Sequence, residues 1–423
     1  MPNADVNDRE TTANATADAD RETATDAAGV PTAEVSTRDA RELLADLVAT
    51  PSPTGDERAA AERLAAFFEA HDREVWVDDV GNVRAPADDS IMLTSHVDTV
   101  PGDVPVCLTD DVGTLTDAEA IANDGGATGE DAVNANAPVP TDGTALDDGD
   151  AVLWGRGSVD ATGPLAAMAV AAVETGVSFV GVVGEETDSR GAHHLVDDRD
   201  APDVVVNGEP SGWDALTLGY RGFVAATYEV ATEAAHSSLP DLNAVEHATA
   251  WVEDVKDAFE SPLGPGANGP EASVFESVTV KPVMIDAGHA PDGNAVTAEV
   301  DCQFRIPPGV DADDIAATVD AVTRRGVVEW GDAIPPHIAS PRTELGRAFR
   351  TSIRREGGSP SLLRKTGTAD ANLFDAAWDC PVATYGPGDS SLDHAPDEHL
   401  ALAEFDRAIA VLESVASEQA GDD

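Results

Sequence analysis

The chain is short of cysteine, of aromatic residues, of cations and of long apolar runs. Each shortage narrows what it can be. Its 3 cysteines, Cys107, Cys302 and Cys380, stand far apart and form no CxxC pair. That argues against a disulfide framework and against a cysteine-ligated zinc site. No stretch reaches the ~18 consecutive apolar residues of a membrane-spanning helix, so no membrane partner is expected. The opening residues "MPNADVNDRE" hold neither a basic region nor an apolar core. No secretory leader is therefore expected, and the expected location is the cytoplasm. Lysine and arginine total 25 against 80 aspartates and glutamates, a formal charge of -55. Nucleic acid and anionic membranes would both be repelled.

Aromatics make up only 4% of the chain. With few lysines and abundant Ala, Asp and Glu, this resembles the surface of a protein adapted to very high salt. There the screening length falls to roughly 3 Å or less and self-repulsion fades. Disorder is the bland alternative for so acidic a chain. Against it, 42% of the residues are apolar, and they recur in regular runs. A chain of 423 residues exceeds one typical domain and can bury a sizeable core.

Residues 1–36 read as a disordered acidic tail. Order is expected from Ser36-Thr37, a helix cap before "DARELLADLVAT". A second helix, "DERAAAERLAAFFEAH", precedes short strands at "EVWVDD", "NVRAP" and "SIMLTSHVD". From about 109 to 150 the sequence is small, acidic and Gly-rich, which predicts a long surface insertion. Then come a helix at "GPLAAMAVAAVET" and buried strands at "VSFVGVV" and "DVVVNGEP". Near Trp213 the pattern changes to alternating strands such as "FVAATYEVAT" and "NAVTAEVDCQFRI". The expected organisation is one α/β domain, residues 37–212 and 334–423, split by an α+β domain at 213–333.

Four polar clusters each follow a short apolar run: "SHVDTVPG", "GEETD", "NGEPSG" and "YGPGDSSLDHAPDEH". Ligands of open α/β sheets gather beyond the carboxyl ends of the strands. Four such ends would bring together His96, Asp98, Glu185, Glu186, Glu209 and His394. Asp160, just before a helix, can join them. Two histidines with several carboxylates suit a divalent ion such as zinc. The set is too large for one closed tetrahedral site. It suits two ions roughly 3.5–4 Å apart with Asp160 as the candidate bridge. His96 and Asp98 share one side of an extended chain, so Asp98 could orient the His96 ring. Adjacent Glu185 and Glu186 would point opposite ways on an extended chain, one to metal and one to substrate. Singly these signals are weak, since Asp160 alone could cap a helix. Their joint order is what distinguishes them.

These motifs resemble the di-zinc aminoacylase and carboxypeptidase family, which includes acetylornithine deacetylase and succinyl-diaminopimelate desuccinylase. The resemblance runs from about 37 to 415, through "SHVDTVPG", "GRGSVDATGP", "GEETDSRGA", "NGEPSG" and "LDHAPDEH". It implies an α/β zinc-peptidase-type catalytic domain with an inserted dimerisation, or lid, domain, and hence a homodimer. It implies one zinc on His96, Asp160 and Glu209 and another on Asp160, Glu186 and His394, with cobalt able to substitute. Glu185 is then the general base, and Asp98 orients His96. His236, in "AAHSS", is implied to reach a partner subunit's site and stabilise an oxyanion. Arg305 and Asn294 are implied to bind a substrate carboxylate.

Within the family the similarity is greatest to hydrolases that release lysine or ornithine from an amino-group carrier protein. "GEPSGWDALTLGYRG", "KTGTADANLF" and "YGPGDSSLDHAPDEH" carry it. Lys365 to Asp370 are expected to line the substrate pocket, with Lys365, Thr366, Gly367 and Thr368 as the substrate contacts. The implied reaction is hydrolysis of the amide between the carrier's terminal glutamate side chain and the amino acid's α-amino group. Such carriers are acidic, so docking calls for a local basic patch or for high salt. The alternatives are a deacylase of small N-acyl amino acids or a carboxypeptidase, and, from another class, a non-catalytic binding or regulatory protein.

Overall fold

The computed structural model describes residues 34–109, 146–147, 149–236, 238–261, 264–266 and 273–421. The acidic tail up to residue 33 and most of the 109–150 insertion lie outside the described residues. Among the described residues, no helix is long and apolar enough to cross a membrane.

The larger layer is a nine-stranded sheet. Its centre holds four parallel neighbours in the spatial order Val177–Val182, Asp88–His96, Val205–Gly208 and Val382–Thr384. These strands are continuous apolar runs because helices cover both faces. Thr37–Val48, Thr162–Thr175, Glu344–Arg355 and Leu402–Ala420 pack on one face. Arg190–Asp198 and Asp370–Ala377 pack on the other. The helix Thr37–Val48 starts where the sequence placed it, with Ser36 Oγ accepting from the Asp39 amide at 3.2 Å. Parallel alignment puts the carboxyl ends of all four central strands along one edge.

The second sheet is antiparallel, in the order Thr279–His289, Ala295–Ile306, Gly222–Glu233 and Val327–Trp330. Burial alternates along Gly222–Glu233, as expected for a sheet covered on one face only. Its inner face packs on the helices Ala244–Glu260 and Ala312–Val322 as a separate core. Tyr228 stacks on Trp251 there, with ring centroids 4.3 Å apart. The α/β layer with an α+β unit between its two halves is therefore the observed architecture.

The switch between sheets falls at Arg221, later than the change of pattern near Trp213. Ala215–Tyr220 still belongs to the large sheet, paired with Ser361–Lys365 and Val382–Thr384. Arg221 fastens the junction. Its Nε donates to the Thr366 carbonyl at 2.9 Å, and its Nη1 donates to Val274 O at 3.1 Å and Thr279 Oγ1 at 3.0 Å.

Candidate active site

His96 ends its strand with a side chain buried to 1% exposure. Its Nδ1 lies 2.8 Å from the Asp98 main-chain carbonyl. With the proton on Nδ1, that contact leaves the Nε2 lone pair free for a cation. Nε2 stands 3.2 Å from Asp160 Oδ1 and 3.8 Å from Glu209 Oε1. On the other side of Asp160, Oδ2 lies 3.1 Å from His394 Nε2, which is also 3.1 Å from Glu186 Oε2. The two oxygens of one carboxylate thus serve two histidines from distant parts of the chain.

The Asp98 side chain does something the sequence did not anticipate. Its carboxylate is 3.7 Å from His96 Nδ1, beyond hydrogen-bond range. Instead it accepts the amides of Gly184, Glu185 and Glu186 at 2.9, 3.2 and 3.2 Å, and the Thr54 hydroxyl at 2.8 Å. The carbonyl of Asp98 orients the histidine, and the carboxylate shapes the Glu185–Glu186 segment.

That segment is a turn, not the extended chain expected from the sequence. The amides of Thr187 and Asp188 bond back to the Gly184 carbonyl at 3.2 and 3.0 Å. Gly184 has φ +85, and a Cβ there would stand 2.6 Å from Arg190 Nη1. Only glycine enters this turn without strain. The two glutamates still diverge. Glu186 meets His394, whereas Glu185 lies within ligand range of His96 and Glu209.

Burial dominates the electrostatics, and the crowding of carboxylates adds to it. Burial, reinforced by the Glu209 charge, raises the Glu185 carboxyl well above its ordinary value. Burial likewise pushes Glu209 up to about 8. Burial would raise Asp160 too, but hydrogen bonds from His394 and His96 hold it below the usual carboxylate range. Hydrogen bonds to Asp160 and Glu186 push His394 up to about 10. His394 also adopts a left-handed backbone, φ 62, an uncommon conformation that clusters at functional positions.

The donor set fits a divalent cation. Ligands about 2.0 Å from a tetrahedral ion stand roughly 3.3 Å apart. The His–carboxylate separations here run from 3.1 to 3.8 Å. His96, Asp160 and Glu186 form one group whose ligand atoms lie within 4.8 Å of one another, and His96, Glu185 and Glu209 form a second. A cation would offset the neighbouring negative charges that add to burial in raising Glu185 and Glu209.

These residues open into a cavity of about 720 Å³. Arg305 and Lys365, Thr366, Gly367 and Thr368 also line it, so the structure does gather them at the site. Arg305 donates to Thr368 Oγ1 at 3.2 Å and lies over the Phe223 ring at 4.9 Å. Asn294 and His236 are not brought in. Asn294 precedes the strand Ala295–Ile306, whose 12 residues put it roughly 40 Å from the Arg305 end at about 3.4 Å per residue. His236 is exposed and contacts Ser238 Oγ at 2.8 Å. Both stand at the far end of the small sheet, where the Asn294 carbonyl accepts the Ala234 amide at 2.9 Å.

Sequence reasoning missed two carboxylates and the burial of a third, Asp370, which was expected at the pocket wall but is not among the residues lining the cavity. Asp370, 1% exposed, stands near enough to Glu185 to raise its carboxyl further. Asp393 lines the cavity. Glu398, fully buried, accepts the Val159 and Asp160 amides at 2.9 and 3.0 Å and pairs with Arg156 at 2.7 Å. It fixes the Asp160 loop from a residue only a few places beyond His394. All three occur inside motifs singled out from sequence, but among 80 acidic residues nothing marked Asp393 or Glu398.

The model of Peptidase family M20/M25/M40 matches residues 130–418. The chain belongs to this family. Membership makes it a metal-dependent amide hydrolase. Among its M20 relatives, a Thermococcus kodakarensis protein named a LysW-lysine/LysW-ornithine hydrolase is 34% identical over 92% of this chain and 94% of its own length. A Deinococcus radiodurans protein named LysW-lysine hydrolase is 33% identical over 90% of this chain and 97% of its own. The M20 fold is shared with aminopeptidase PepT from Bacillus cereus, at a TM-score of 0.65 and 18% identity, over 92% of this chain and 100% of that one.

Proposed function

We propose that this chain is a di-zinc amide hydrolase that releases lysine or ornithine from an amino-group carrier protein. The observation that carries the reading is Asp160, its two oxygens facing His96 and His394 at 3.2 and 3.1 Å. The names of the two relatives supply the substrate class. In this reading His96, Asp160 and Glu209 would hold one zinc and Asp160, Glu186 and His394 the other, and cobalt could replace either. When bound, the ions would supply Lewis acidity toward a carbonyl oxygen and a water.

Glu185 does the proton work. Its buried position keeps its affinity for a proton high, which suits a base operating near neutral pH. It takes a proton from the attacking water and delivers it to the departing amine. Asp98 holds the Glu185 amide in place, and Glu398 holds the Asp160 loop. Arg305 offers a bidentate fork to the substrate carboxylate.

The same reading makes the four-stranded unit, within about 213–333, a dimerisation and lid domain. His236 and Asn294 would then serve the site of a second copy. The strand Thr279–His289 forms one edge of its sheet, with Val283 and Ile285 exposed at 53% and 54%. An open apolar edge of that length favours pairing with another chain. The charge of -55 fits a cytoplasm of high salt, where an acidic carrier is not repelled.

The test compares a lysine- or ornithine-loaded carrier with N-acetylornithine, at matched concentration and high salt. The carrier substrate should turn over faster. Faster hydrolysis of the free acetylated amino acid would favour a small-molecule deacylase instead.

A further inference from the structure

Five carboxylates line the cavity: Asp160, Glu185, Glu186, Glu209 and Asp393. Four belong to the metal cluster or serve as its base. Asp393 alone has no such task, and its partners are few. Its Oδ1 is buried with no hydrogen-bond donor among the described residues. Its Oδ2 is 3.9 Å from Lys365 Nζ, too far for a hydrogen bond. A carboxylate oxygen removed from water without a donor is costly, and sites that keep such a group commonly use it. The side chain remains 29% exposed, on the cavity side. Rotation about χ2 can present either oxygen there.

The chemistry of the substrate half supplies the missing donor. Lysine or ornithine joined through its α-amino nitrogen keeps two charges, an α-carboxylate and a side-chain ammonium. Arg305, Arg364 and Lys365 also line the cavity and offer cations to the carboxylate. Among the described lining carboxylates, only Asp393 is left to receive the ammonium.

We infer that Asp393 is a specificity residue that binds the side-chain ammonium of the amino acid being released. This assignment rests on the carrier-hydrolase reading above. It accounts for selection of basic amino acids: an uncharged side chain would leave the Asp393 carboxylate without a hydrogen-bond donor beside the cavity. The preceding position in the chain also couples selection to catalysis, because Asp393 and His394 share one loop.

The experiment uses the full-length, metal-loaded enzyme and a carrier bearing either lysine or norleucine, which has the same chain without the ammonium. Wild type should prefer lysine. Asp393→Asn should raise KM for the lysine substrate by about 10- to 100-fold without raising it for the norleucine substrate, which is relieved of the facing carboxylate. Metal content, measured on the same samples, should not move. An equal loss on both substrates, or a loss of metal, would show that Asp393 acts through His394 and would overturn the assignment. So would a wild type indifferent to the ammonium. Repeating the comparison with N-acetyl-lysine and N-acetyl-norleucine separates the two failures. Selectivity that appears only on these small amides leaves Asp393 correct and the carrier wrong.

Discussion

Replacing Glu185 with alanine slows turnover by at least about 10²–10⁴-fold while the protein keeps its metal. That range is the ordinary contribution of a general base. The expectation follows from where Glu185 sits. It lies in the cavity beside His96 and Glu209 but takes no part in the paired His–Asp–His arrangement around Asp160. Removing it also removes a like charge from a crowded site, so metal binding should not weaken. Elemental analysis alongside initial rates checks both halves. A fully active Glu185→Ala variant would show that the proton moves by another route. An inactive variant stripped of metal would reassign Glu185 as a ligand.

Asp160→Ala should have the opposite signature, losing metal and activity together. Among the described residues, Asp160 is the one carboxylate within 3.2 Å of both histidines. Loss of groups that merely support a ligand costs about 10–100-fold in metal affinity. Loss of the bridge itself should cost more, at both positions. Glu209→Ala, by contrast, should weaken one position and spare the other. Calorimetric titration of the metal-free variants distinguishes these patterns. Equal losses in the two variants would mean that Asp160 does not bridge.

The parallel centre of the large sheet was legible because its strands are buried on both faces and so appear as unbroken apolar runs. Each run ends in a polar cluster, and parallel pairing brings the four ends to one edge. That is why His96, Glu185, Glu186, Glu209 and His394 could be grouped before any coordinates were known. What sequence could not convey was local backbone geometry. Glu185 and Glu186 diverge because Gly184 opens a turn, not because a strand alternates. The Asp98 carboxylate faces three amides rather than the ring two residues before it. Nor does spacing reveal distance along a strand: Arg305 and Asn294 flank one strand and end far apart. Glu398 and Asp393 stayed hidden for a different reason. In a chain this acidic, one more carboxylate is no signal until its burial is known.

The two-ion claim is tested most directly by restoring activity to metal-free enzyme. Zinc is added in fractional equivalents while release of lysine from the loaded carrier is followed. The account predicts activity that climbs to a plateau at two equivalents per chain, with little at the first. A plateau at one equivalent, or full activity before any zinc is added, would contradict it.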